Sequence, residues 1–136
     1  MDNLRINVHR QENLQIMLRD SFFKINQIEE SGNTYCFVVS IHPGHEVFKG
    51  HFPQQPVAPG VFALQMIKEC LEWVRNKKYR YCELTNCKFS RPIFPEQDKD
   101  FRIDCEYKFA DSFLLNATVR SEDAIYLTLK AKLEEV

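Results

Sequence analysis

An α+β fold, with one antiparallel sheet wrapped around a central helix, is what this sequence predicts. Three observations carry the expectation. Only the stretch from Gly60 to about Asn76 is long and apolar enough, without a breaker, to be a buried helix. Residues 101–109 alternate apolar and charged side chains, a period of two that a half-buried strand explains. Two β-rich stretches precede the helix and four follow it, an order that lets a single sheet close around it.

The elements follow in chain order. Residues 1–20 are polar and weakly periodic, an N-terminal extension with a short helix around Glu12 to Leu18. FFKINQIE (22–29) and TYCFVVSIH (34–42) are rich in aromatic and β-branched residues, and Ser31-Gly32-Asn33 between them makes the pair a hairpin. Residues 43–59 read as a loop stiffened by proline. The helix begins with proline and glycine at its start, and Val61, Phe62, Ala63, Leu64, Met66 and Ile67 predict burial on most sides of its first half. YRYCELTNCKF (79–89) supplies a strand, followed by 101–109, FLLNATVR (113–120) and AIYLTLKAKLE (124–134). In the last of these Ile125, Leu127, Leu129, Ala131 and Leu133 share a face. No linker, repeat or low-complexity stretch divides the chain, so 1–136 reads as one domain.

Composition narrows the function. The 136 residues carry a net charge of -1, with no basic surplus for nucleic acid. No apolar run approaches the ~18 residues of a membrane span, and the charged N-terminus lacks a secretory core, so the expected location is cytoplasmic. The five cysteines form no CxxC pair and read as reduced, mostly packed thiols.

His42, His45 and His51, with Glu46 between, raise the question of a metal. Their spacing fits no site, and the prolines favour a shaped loop over a ligand-bearing helix, so no metal and no cofactor are expected. His51 stands out by context, because PVAPG delivers the chain from it into a buried helix. A helix start offers free N–H groups and partial positive charge, which suit a carbonyl oxygen that becomes negative during reaction. A base beside such donors can remove a proton next to a thioester carbonyl. Spacing alone leaves that reading level with a histidine that merely caps a loop.

GHFPQQPVAPGV (50–61) resembles the signature GHFPxxPVxPGV of the 3-hydroxyacyl-acyl-carrier-protein dehydratases of bacterial fatty acid synthesis. CKFSRPIFPEQD (87–98) is similar to that family's second block, and the resemblance covers roughly residues 35–134. It implies the hot-dog fold, a long helix wrapped by an antiparallel sheet, and dimers or higher oligomers with active sites between subunits. By position it implies that His51 is the catalytic histidine. Gly60 and Val61 then hold the thioester carbonyl, and Phe52, Pro53, Pro56 and Pro59 shape the acyl tunnel. The family's N-terminal arginine-tyrosine-proline-phenylalanine-like run has no counterpart here.

Gln65 is the larger departure, since the family places a glutamate or aspartate there to partner the histidine. It is the only polar side chain between Val57 and Ile67, so the expectation is that it faces the pocket as a site residue. A glutamine orients a hydroxyl or water but has no ionisable proton. Three readings follow: His51 serves as both base and acid, Glu69 supplies the acid from one turn along, or the site hydrolyses thioesters. Glu69 lies ~6 Å down the helix axis, and its plainer reading is a solvated charge. If His51 does both jobs, Gln65→Glu is expected to leave activity intact or raise it.

The reaction implied is dehydration of 3-hydroxyacyl thioesters to trans-2-enoyl thioesters in fatty acid or related lipid biosynthesis. A hot-dog thioesterase, or a catalytically weak subunit of a paired dehydratase, is the alternative. The implied partner is an acyl carrier protein, which is acidic, so a basic tunnel mouth is expected from Lys49, Arg91 or the Lys77-Lys78-Arg80 cluster. A homodimer is also expected from the apolar strand AIYLTLKAKL, read as an open sheet edge.

Overall fold

The computed structural model describes residues 17–50, 57–96 and 99–136. Its elements are β1 (Phe23–Ser31), β2 (Thr34–Ile41), α1 (Val47–Gly50), α2 (Gly60–Arg75), β3 (Tyr79–Phe89), β4 (Asp100–Phe109), β5 (Phe113–Arg120) and β6 (Ile125–Glu135). The β1–β2 hairpin turns through Gly32 at φ 58°, a left-handed conformation that glycine adopts without a Cβ clash. The α2 helix ends at Asn76 in the same region, φ 55°, where the chain needs a residue tolerant of it.

Six strands form one antiparallel sheet in the order β1-β2-β4-β5-β6-β3. Period-two burial puts one side of β2, β4, β5 and β6 into the core. The register aligns Ile28, Phe37, Ile103, Val119, Leu127 and Phe89 in one row across all six strands. Its four middle members are fully buried, while Ile28 and Phe89 close the row at the two sheet edges. Against this surface α2 presents Ala63, Met66, Ile67, Cys70 and Leu71, spaced i, i+3, i+4, i+7, i+8, a single helical face.

The helix is tied to β3 along its length. Tyr81 donates its hydroxyl to the Leu64 carbonyl at 2.7 Å, and the Tyr79 amide donates to Glu72 Oε2 at 2.9 Å. At the C-terminal end Arg75 Nε donates to the Tyr79 hydroxyl at 2.7 Å, and its guanidinium lies 5.0 to 5.3 Å from the Tyr107, Phe109 and Phe113 ring centres. A cation boxed by π faces closes that end of the core.

Four expectations change. The first half of the helix is not buried throughout: Val61, at its start, is 66% exposed. A run of apolar residues does not distinguish a face covered by its own sheet from one left uncovered. Ile125 leaves the shared face of β6 and is exposed, because the β5–β6 register shifts between Val119 and Arg120. β6 is no edge either, since β5 and β3 flank it; the edges are β1 and β3. The loop before the helix contains α1, whose Val47 amide donates to His45 Nδ1 at 3.0 Å.

Candidate active site

The site is built where the two sequence motifs meet. Pro59, the N-cap of α2, is extended, φ -62° and ψ 144°, and makes no side-chain cap hydrogen bond. The Phe62 amide donates to the Pro59 carbonyl at 3.0 Å, the first turn of the helix. Phe89, at the end of β3, lies directly over Gly60: a Cβ there would sit 2.9 Å from Phe89 Cζ. Glycine at 60 is therefore a matter of close approach. Beyond Phe89 the chain is held by the Ser90 amide donating to Tyr126 O at 2.8 Å. The buried Ile93 accepts the Ala58 amide at 2.8 Å. Thus 57–60 and 89–93 form one wall, a pairing that their similar motif character alone did not specify.

An aromatic group packs behind the helix start. Phe22 meets Phe62 at 4.9 Å and His45 at 5.5 Å between ring centres, and stacks on Phe48 at 5.8 Å. His45 is thereby a capping and packing residue. Among the described residues no group of three His, Cys, Asp or Glu side chains is placed to hold a metal ion. Burial pushes the Cys70 and Cys105 thiols up, which makes them inert packing, whereas Cys82 is exposed rather than packed.

Gln65 lies one turn beyond Val61 and is half-buried. Its Nε2 donates to Glu69 Oε2 at 2.8 Å. Glu69 is not a solvated charge: the residue is 3% exposed and its carboxylate is filled by donors. Oε2 also accepts the Leu18 amide at 2.9 Å, and Oε1 accepts the Arg19 amide at 2.8 Å. Arg19 in turn lies over the Trp73 ring at 4.1 Å. The short helix expected around Glu12 to Leu18 lies largely outside the described residues, and Met17 and Leu18 are not helical; the covering segment 17–19 carries no local signal of a helix-docking strap. With both oxygens engaged and little exposure to solvent, Glu69 is poorly placed to hand a proton to substrate. Its reading as the acid, one turn from Gln65, is replaced by a supporting one.

Of the other expected site residues, Pro59, Gly60 and Val61 stand together at the helix start. His51, Phe52, Pro53 and Pro56 lie outside the described residues. The basic cluster falls at the wrong end. Lys77 pairs with Glu135 at 3.4 Å and Arg80 pairs with Glu134, at the opposite end of a 16-residue helix that spans about 24 Å. Lys49 and Arg91 are exposed, and Arg91 lies two residues beyond Phe89.

The family model described as ApeI-like, ApeI dehydratase, matches residues 27–128. The chain belongs to the ApeI-like dehydratase family. Among curated relatives, a 3-hydroxyacyl-[acyl-carrier-protein] dehydratase FabZ from Pasteurella multocida is 32% identical over 48% of this chain and 49% of its own. The FabZ of Variovorax paradoxus is 24% identical over 79% of each. The chain thus spans about half the length of the first of these relatives.

Solved structures agree on architecture. The dehydratase heterocomplex ApeI:P from Xenorhabdus doucetiae matches with TM-score 0.70 at 19% identity, over 80% of this chain and 95% of that one. The PaaI protein of the E. coli phenylacetic acid degradation operon matches with TM-score 0.62 at 9% identity, over 97% and 92%. At these identities the likeness is one of fold. This ApeI-like family member has the hot-dog fold, its six-stranded antiparallel sheet wrapped around α2.

Proposed function

We propose that this chain dehydrates 3-hydroxyacyl thioesters on an acyl carrier protein to trans-2-enoyl thioesters, in fatty acid or related lipid synthesis. The observation that supports the reading is the meeting of both motif blocks at the start of α2, Phe89 against Gly60, where the N-cap Pro59 makes no side-chain cap hydrogen bond. A thioester carbonyl aimed at the Gly60 and Val61 amides finds donors and the positive end of a helix where its oxygen gains charge. Phe52, Pro53 and Pro59 shape the acyl channel in this reading.

His51 takes the α-proton, and the C–H electron pair becomes the new Cα–Cβ double bond as the Cβ–O bond breaks. The imidazolium then returns its proton to the departing hydroxyl, which leaves as water. Nothing is oxidised or reduced, so the step needs no cofactor. Gln65 holds the hydroxyl. The working unit is a homodimer, joined along the β3 edge and placed in the cytoplasm. Membership in a dehydratase family, and the position of β3 at the sheet edge among the described residues, support these choices.

A thioesterase reading gains from Gln65 alone, since a neutral amide beside a histidine can hold an attacking water. The heterocomplex among the structural matches supports a further alternative, a weak subunit that completes a paralogue's site. The test is product analysis on a 3-hydroxyacyl carrier protein. A dehydratase gives the conjugated enoyl thioester with loss of water, abolished by His51→Ala together with solvent exchange of the α-proton. Free thiol release points to the thioesterase, and neither product to the subunit.

A further inference from the structure

We propose that Glu69 is a positioning residue that fixes the amide of Gln65 with its oxygen toward the reacting hydroxyl; the proposal rests on the reading of Gln65 as a substrate contact. The buried Glu69 carboxylate takes three donors: the Leu18 and Arg19 amides and Gln65 Nε2 at 2.8 Å. A carboxylate only accepts, so the Gln65 amide must meet it nitrogen first; the flipped amide would set oxygen against oxygen in a site with little water. Nε2 and Oε1 diverge from one carbon. Anchoring the nitrogen therefore directs Oε1 away from Glu69 and makes residue 65 an acceptor.

That choice selects a substrate feature. An acceptor matches the β-hydroxyl of a 3-hydroxyacyl chain, which donates, and not the thioester carbonyl, which accepts. It also answers why residue 65 is a glutamine. The pair holds one negative charge, and the backbone amides of 18 and 19 have fixed that charge at 69. A second carboxylate at 65 would face the first at hydrogen-bond distance.

The experiment compares binding of 3-hydroxyacyl and saturated acyl pantetheine analogues, the second lacking only the hydroxyl. The full-length wild type should prefer the hydroxylated analogue by roughly three- to tenfold, the worth of one hydrogen bond. Gln65→Ala should erase the preference, and Glu69→Gln should erase it too, since an amide at 69 no longer forbids the flip. In the Gln65→Ala background Glu69→Gln should change it no further. A Glu69→Gln protein that keeps the preference overturns the positioning role. A Gln65→Ala protein that keeps it overturns instead the reading of Gln65 as a substrate contact. Nuclear magnetic resonance on the wild type needs no variant: one Gln65 Nε2 proton should exchange slowly with solvent. Rapid exchange of both protons removes the anchor, and the proposal with it.

Discussion

Gln65 Nε2 and Glu69 Oε2 stand 2.8 Å apart on successive turns of α2, one amide and one carboxylate sharing a single negative charge. The expectation that Gln65→Glu leaves activity intact took residue 65 alone. With Glu69 buried beside it, the variant brings two carboxylates together, which cannot both ionise without penalty. The introduced carboxyl then has a folded pKa above its unfolded value of about 4.3. Relative to the wild type, the variant should lose nothing below that value and grow less stable as pH rises through the raised folded pKa. Thermal melts of both proteins between about pH 4 and about pH 8 measure this, with about 1.4 kcal/mol of stability lost for every tenfold weakening of the introduced acid. A pH-independent difference in melting would show that the two carboxyls move apart.

Gly60→Ala separates stability from activity. The added Cβ meets the far end of a half-exposed Phe89 ring, which can swing aside. At this first helical position alanine keeps only part of the about 1 kcal/mol it gains over glycine in a helix interior, so the melting temperature should stay nearly unchanged. The displaced ring opens the wall between the two motif blocks, and kcat/KM for dehydration should fall by about tenfold or more. Loss of stability without loss of turnover would make the Phe89 contact a packing feature only.

Carrier recognition should depend on Arg91 and Lys49, not on the helix end. Charge reversal at either residue should raise the KM for carrier-bound substrate and leave a short pantetheine substrate little affected. Lys77→Glu should change neither, because Lys77 already pairs with Glu135 at the far end of α2. Equal effects on both substrates would place Arg91 or Lys49 in the acyl site rather than at its mouth.

Self-association should run through β3. This edge strand presents Leu84, 44% exposed, and the half-exposed Phe89. Light scattering at micromolar concentration should give a dimer for the wild type, and Leu84→Lys should shift it toward monomer. A monomeric wild type would remove the shared-site arrangement.

The fold was legible because its cues are local and repeated. Alternation over 101–109, the turn at Ser31-Gly32-Asn33 and a single breaker-free helix need only neighbouring residues to be read. What escaped depends on partners far along the chain. Strand order decides that β3 and not β6 is the edge, and a register slip beside Arg120 decides that Ile125 faces out. Glu69 escapes for the same reason: its backbone donors sit 50 and 51 residues away. The meeting of Gly60 with Phe89 was half legible, since both blocks stand out as motifs but not as one wall.

The strap at 17–19 ties a segment some fifty residues upstream to the Glu69–Gln65 pair. Trimming the protein to begin at Phe22, an innocent way to shorten it on paper, would strip two of three donors from a carboxylate that water scarcely reaches. The abandoned charge would have Gln65 Nε2 as its remaining partner from that set, or would open a route to solvent beside Trp73. Either way the side chain at 65 would answer to the loss of a segment about fifty residues upstream. A boundary or nick that removes the Leu18 and Arg19 amides would, in this protein, perturb the partner of Gln65 in the proposed site.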